Sequence, residues 1–412
     1  MRVTQALQRN LQQRPNAIAS VDGKRTLTWS QLVNRISKLA SGLKAVNLCT
    51  GDRAGILALN SDHYMEAMYA TVWAGGITVP LNYRWSAPEI AYALNDSETK
   101  VLFFDTAFSD IAHEVASLVN HELIMISFDE PAKDERYIEH LIESSPECAE
   151  YIGDENDTAG IFYTGGTTGR SKGVMLTHAN HISNSLQFLS IINVDQESVY
   201  LHAAPMFHIA DALYVYMITQ IGAKHIFIPR FEPDACAKAI QNHRISDIIL
   251  VPTMIQMLLE LPNFTDFNLS SLKQLYYGAS PMPEAVAQDL ISKLSWVKSY
   301  QLYGQTESAP LLTALESRYH TMSKEKGGRI RSAGRAMPAV ELKIIDENGR
   351  EVPRGEIGEI IARGPNIMKG YWGQPELSSK TLKDGWLHTG DAAHMDSEGF
   401  IFITDRLKDM II

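Results

Sequence analysis

With 412 residues, 45% of them hydrophobic and 21% charged, the chain has the balance of a globular protein and the length for two or three domains or one large composite domain. That composition excludes extended disorder, a collagen repeat and a coiled coil as the main architecture. Thirty-seven lysines and arginines against 48 aspartates and glutamates give a formal charge of −11, which opposes general nucleic-acid binding but leaves room for a small anionic substrate held by local positive charge.

Arg2, Arg9 and Arg14 precede the first acid, Asp22. Transit peptides share that charge pattern, but so do ordinary short amphipathic helices, and no apolar signal core accompanies it. Thr28 with Gln31 makes a capping box that starts a helix running to about Ala45. Ala54 to Leu59 reads as a buried strand, Tyr64 to Ala74 as a helix, and the surroundings of Thr78 as a second strand. Ser86 and Glu89 cap the next helix, with Pro88 in its first turn, and Val101 to Phe104 is a third strand. Ile248 to Val251, Leu272 to Tyr277 and Val297 to Gln301 repeat the strand pattern, separated by helices near Met254 and Pro283. The alternation predicts an α/β fold of two packed α/β subdomains with mostly parallel sheets. From Gly334 the texture changes. Ala339 to Ile345, the turn residues 346–349 and Glu359 to Ala362 read as β-hairpin material, which predicts a smaller β-rich subdomain. The lobes are expected at about residues 1–160, 161–330 and 331–405. Residues 405–412 are an apolar β-like run with no stop signal.

Cys49, Cys148 and Cys236 fit neither a metal pattern nor a CxxC pair, and their odd number argues against a disulfide framework, so a reducing cytoplasm is the expected location. The most apolar run, Ala212 to Ala223, lies between Asp211 and Lys224 and is too short to cross a bilayer.

Five segments carry residues suited to chemistry. YTGGTTGRSKG at 163–173 follows a strand-like run and combines glycines, threonine hydroxyls and Lys172. Glycines let a backbone turn several N–H groups toward an anion, so this loop is suited to cradling phosphate. Its spacing is not that of the nucleotide loop GxxxxGK[ST], because Gly173 follows the lysine. YGQTE at 303–307 ends a strand where open α/β sheets bind ligands, and Glu307 is a hard oxygen donor suited to Mg²⁺. In GWLHTGD at 385–391, Asp391 either accepts from a ribose diol or merely closes a turn. DRLKD at 405–409 and PMFHIADA at 205–212 add Arg406, Lys408 and His208, each of which alone also fits an ordinary surface or core position.

In this order, the five segments resemble the adenylate-forming superfamily of acyl-CoA synthetases, luciferase and peptide-synthetase adenylation domains. The similarity is greatest to fatty-acyl and 4-coumarate–CoA ligases; RGPNIMKGYW at 363–372 strengthens it, and it covers essentially the whole chain. The resemblance implies that Thr164, Gly165, Gly166, Thr167, Thr168, Gly169 and Lys172 hold the β- and γ-phosphates of ATP, with Ser171 where the family usually has proline. It implies that Tyr303 stacks on adenine beside Gly304, that Thr306 touches the α-phosphate and that Glu307 binds Mg²⁺. Gly278, Ala279 and Ser280 would line adenine and the acyl group. Asp391, helped by Arg406, would bind the ribose hydroxyls, His208 would lie near the acyl carboxylate, and Lys408 would sit at a hinge.

The implied reaction is attack of a carboxylate on the α-phosphorus of MgATP, release of pyrophosphate, and transfer of the acyl group to a thiol, usually coenzyme A. Both reactants are anionic, so screening and positioning are the chemical needs. The family's adenylating lysine belongs to a small C-terminal domain beyond the hinge, so these 412 residues are expected to bind ATP and acid but to adenylate poorly alone. His208 follows the phenylalanine where amino-acid-activating relatives carry aspartate, which disfavours amino acids. Medium- or long-chain fatty acids are expected over aryl acids, with the Ala212–Ile221 helix either lining an acyl tunnel or serving as core. The alternatives are an aryl-acid–CoA ligase, a ligase that loads a carrier protein, and a non-catalytic nucleotide- or acyl-binding protein.

Overall fold

Parallel strands need long crossovers, and this chain supplies them as capped helices. The computed structural model describes residues 1–130, 136–165, 170–321 and 329–406. The helix Trp29–Ala45 starts at the expected box, with Thr28 accepting from the Gln31 N–H and Gln31 accepting from the Thr28 N–H at 2.8 Å. Ala87–Asp96 starts with the Glu89 carboxylate accepting from the Ser86 N–H at 2.9 Å and Pro88 in its first turn.

Among the described residues these helices cover two large sheets. The eight-stranded sheet has Arg53–Leu57, Ile77–Pro80 and Thr99–Phe104 running parallel at its centre. Thr158–Thr164 joins in parallel, and Lys172–Thr177 returns antiparallel beside it. The nine-stranded sheet has Val199–His202, Asp247–Leu250, Gln274–Gly278 and Lys298–Gly304 parallel, with Leu311–Leu315 antiparallel. A third, antiparallel sheet of five strands contains Glu341–Ile345, Ile357–Arg363, Trp386–Met395 and Ile401–Arg406. The α/β architecture with a smaller β subdomain is therefore as the alternation predicts.

The sheets exchange strands across the chain positions near 160 and 330. Ile18–Asp22 joins the nine-stranded sheet, parallel to Lys224–Phe227. Gly370–Tyr371 pairs with Val174 and Met175 in the eight-stranded sheet. Both are short strands that cannot bury themselves locally, and each finds a free edge elsewhere.

The helices His178–Leu189 and Ile209–Ile221 pack together between the sheets. Ile209–Ile221 is buried on nearly every side, including Asp211. That buried carboxylate is satisfied: it accepts from Tyr200 Oη at 3.0 Å and pairs with His202 Nδ1 at 2.6 Å, and His202 contacts His225 at 3.0 Å. Among the described residues no helix is long and apolar enough to cross a membrane.

His181 has no such compensation. Its ring is fully buried, 4.7 Å from the Tyr216 ring centre, and neither ring nitrogen has a partner among the described residues. Burial pushes its pKa down to about 3, and burial likewise brings His178 and His320 to about 4. These groups stay neutral in the fold while the unfolded chain protonates below about pH 6.5. Stability contributed by keeping them neutral is therefore complete above pH 6.5 and is lost as pH falls toward 4, by up to about 1.4 kcal/mol per pH unit per histidine. We expect His181→Phe to raise stability at neutral pH by about 1 kcal/mol and to flatten the acid limb. Denaturant melts at pH 7 and pH 5 test this; an unchanged or steeper pH dependence counts against it.

Candidate active site

The carboxyl ends of Gln274–Gly278 and Lys298–Gly304 lie side by side, and the loops that follow them open into a cleft of about 560 Å³. Gly304 is required there by space: a Cβ on it would lie 1.9 Å from the Pro310 carbonyl oxygen. The chain then makes the single helical turn Thr306–Ser308, which presents Thr306 and Glu307 to the cleft.

Residues from far along the chain hold this turn. Asn366 Nδ2 donates to the Ser308 and Leu311 carbonyls at 2.9 Å each, and the Met368 N–H donates to the Glu307 carbonyl at 2.9 Å. Tyr371 Oη donates to Glu307 Oε1 at 2.8 Å. Burial, with the Glu307 charge added, raises the Tyr371 pKa, so the phenol remains a donor. Lys172 Nζ, on the neighbouring strand, stands 5.4 Å from the centre of the Tyr371 ring. Lys172 itself pairs across from Thr164 in the sheet, so the two residues close the base of the glycine-rich loop.

A second group joins Tyr303 of the nine-stranded sheet to the antiparallel subdomain. Tyr303 Oη donates to Asp391 Oδ2 at 2.7 Å, and Arg406 Nε lies 3.5 Å from Asp391 Oδ1. Asp391 and Arg406 are directly opposed in neighbouring strands. Burial raises the Asp391 pKa, while the Tyr303 hydrogen bond and the Arg406 charge oppose that rise. Burial and the neighbouring Asp391 raise that of Tyr303. Beside them His388 Nδ1 lies 2.8 Å from Glu359 Oε2, and both side chains face the cleft.

His208 caps the helix Ile209–Ile221, its Nδ1 accepting from the Ala210 N–H at 3.2 Å. That bond leaves Nε2 as the protonated nitrogen of a neutral ring. Its ring reaches solvent in the cleft, yet the protein mass around it lowers the pKa; Arg84 adds to that and Asp211 opposes it. From His208, Ala279 and Thr306 a smaller apolar cavity of about 70 Å³ leads off, lined further in by Gly278, Leu302 and Leu311. Ala279 sits at φ +66°, a conformation costly for a residue with a Cβ.

One cleft thus gathers Thr164, Gly165, Lys172, His208, Ala279, Gly304, Thr306, Glu307 and Arg406. Gly278 lines the inner cavity, and Ser280 is exposed on its loop and lines neither space. Gly166, Thr167, Thr168, Gly169 and Lys408 lie outside the described residues. Tyr371, Asn366, Glu359 and His388 were not singled out from the sequence; their positions depend on strand pairings that no local pattern encodes. Among the described residues no group of three or more histidine, cysteine, aspartate or glutamate side chains assembles as a metal cage. Glu307, oriented by Tyr371, offers one hard carboxylate, which fits a Mg²⁺ ion held mainly through phosphate oxygens.

The chain is 36% identical over 400 residues to a feruloyl-CoA synthase from an Amycolatopsis species, covering 97% of this chain and 77% of that one. It is 32% identical to the medium/long-chain-fatty-acid–CoA ligase FadD8 of Mycobacterium tuberculosis, covering 95% and 68%. The O-succinylbenzoate coenzyme A synthetase of Bacillus subtilis, solved in complex with ATP and magnesium ion, superposes with a TM-score of 0.86 at 28% identity, covering 99% of this chain and 80% of that one. The AMP-binding enzyme model matches residues 7–372. With that match and the cleft described above, the chain belongs to the AMP-binding enzyme family of adenylate-forming acid ligases.

Proposed function

We propose that this protein uses ATP to convert a carboxylic acid into an acyl adenylate and then passes the acyl group to the thiol of coenzyme A. The observation that carries the reading is the convergence of Lys172, Thr306, Glu307 and His208 on one cleft from which an apolar cavity departs.

A carboxylate oxygen attacks the α-phosphorus, the bond to the β-phosphate oxygen breaks, and pyrophosphate leaves. In this reading Lys172 and the backbone N–H groups of the glycine-rich loop offset the phosphate charge as the two anions approach. Thr306 bonds the α-phosphate. Glu307 would hold a magnesium ion, which would supply further charge neutralisation on the phosphates. Asp391 accepts from the ribose hydroxyls while Tyr303 and Arg406 fix its orientation, and Tyr303 flanks adenine. His208, neutral, donates from Nε2 to an oxygen of the acid at the mouth of the cavity. In the second step the thiolate attacks the acyl carbonyl and AMP departs. The relatives divide between aromatic and fatty acids, and the size of the inner cavity supports a compact acyl group over the medium- or long-chain fatty acid expected from the sequence.

Calorimetric titration of the 412-residue chain with acyl-sulfamoyl adenosines is expected to show binding. Asp391→Ala should weaken it by about tenfold to a hundredfold, the loss of hydrogen bonds to a charged acceptor. Absence of binding by every analogue, acetyl to palmitoyl, would refute the reading. Gly304→Ala should lower affinity by about tenfold or more, because the new methyl displaces Pro310 and with it the Thr306–Glu307 turn; undiminished affinity would show that the turn does not contribute.

A further inference from the structure

The strand Trp386–Met395 is interrupted where it passes the cleft. Its neighbour Ile357–Arg363 sets Glu359 opposite Ala392 and Ile361 opposite His388, so Thr389, Gly390 and Asp391 together face Ile360 alone. Such a bulge breaks the ladder and re-aims the side chains on it. Side chains repair the break. Glu359 Oε1 accepts from the Gly390 N–H at 3.1 Å, and Glu359 Oε2 accepts from His388 Nδ1 at 2.8 Å. Thr389 Oγ1 donates to the Ile360 carbonyl at 2.7 Å and accepts from the Asp391 N–H at 3.1 Å. Gly390 takes φ +73° there, and no heavy atom lies within 4 Å of where a Cβ would stand, so conformation rather than space calls for glycine.

Glu359 and His388 line the cleft with Thr389 and Gly390, and their side chains are only 20% and 19% exposed. Both oxygens of Glu359 are committed to the bulge. Their partners, a backbone N–H and an imidazole N–H, are both donors, and a carboxylate is the side chain that meets two donors with two acceptors. Its charge works against the neighbouring acid: Glu359 is near enough to Asp391 to oppose ionisation of that carboxylate. A second acid beside one that must remain an acceptor is explained by what it holds. It holds the segment that ends in Asp391, whose carboxylate in turn meets Tyr303 Oη at 2.7 Å and Arg406 Nε at 3.5 Å.

We infer that Glu359 is a positioning residue for the nucleotide: by tying Gly390 and His388 to the neighbouring strand, it sets the direction in which Asp391 presents its carboxylate to the ribose hydroxyls. The inference rests on the acid-activating function proposed above. Hydrogen bonds weaken steeply with distance and angle, so a small drift of the bulge would deprive the ribose of its acceptor while leaving the rest of the cleft in place.

The test is calorimetric titration of the 412-residue chain with AMP and with 2′,3′-dideoxy-AMP. The unmodified chain should prefer AMP by about tenfold or more, the contribution of hydrogen bonds to a charged acceptor. In Glu359→Ala that preference should fall toward one, while affinity for the dideoxy nucleotide changes by less than about threefold. A general loss of order would instead weaken both nucleotides alike. Glu359→Gln, close in shape but with one acceptor in place of two, should give an intermediate preference, and it serves where the alanine variant does not fold. The inference is overturned if the unmodified chain binds AMP without preferring the ribose hydroxyls, if the preference survives both substitutions, or if both nucleotides weaken together. If neither nucleotide binds the unmodified chain, the acid-activating reading itself fails.

Discussion

The site depends on one clamp. Asn366 donates from a single amide to the carbonyls of Ser308 and Leu311 and so fixes the turn that carries Thr306 and Glu307. Asn180 in turn donates to the Pro365 and Ile367 carbonyls at 2.9 and 2.8 Å, anchoring the clamp to the helix between the sheets. Short backbone segments facing a ligand lose their own hydrogen bonds, so they stay ordered only when neighbouring side chains replace them. The segment 363–372 does that work for the Thr306–Ser308 turn, and the close approach of Gly304 to Pro310 leaves the turn little freedom to drift.

Charge is managed differently in the core and in the cleft. Away from the cleft, Arg35 meets Glu66 and Glu139 at 2.5 and 2.6 Å, and Arg25 joins the same carboxylates. Such part-buried networks hold the helices Trp29–Ala45 and Asp62–Trp73 together through saturated pairing. In the cleft, Lys172, Lys380 and Arg406 sit among a smaller number of acids. A chain of net charge −11 thereby presents local positive charge where two anions must meet. Asp391 does not line that cleft; its proximity to Tyr303 and Arg406 beside it keeps an acceptor oriented rather than repelled.

Much of the fold was legible because its signals are local. The capping boxes at Thr28 and Ser86, and the strands ending at Leu57, Phe104 and Gly278, depend on residues within a few positions of one another. Chemistry concentrated at strand ends was legible for the same reason: Thr164 and Gly304 end segments that read as strands, and Glu307 follows three residues on. Strand partners were not. That Ile18–Asp22 leaves the first lobe, and that Gly370–Tyr371 extends the sheet carrying Lys172, depends on which edges remain open after the rest has packed.

By itself, then, the sequence determined the class of fold, the type of chemistry and a group of residues that face the cleft, since each rests on local propensity and on residue types at short spacing. Tertiary structure alone decided that Tyr371 orients Glu307 and that Asp391 lies against Tyr303. It also decided that the helix after His208 is at once core and pocket wall, with the hydroxyls of Tyr214 and Tyr216 left without a partner among the described residues. Those outcomes are differences between many competing long-range contacts, and burial of a hydroxyl without a partner becomes visible only when all its neighbours are in place.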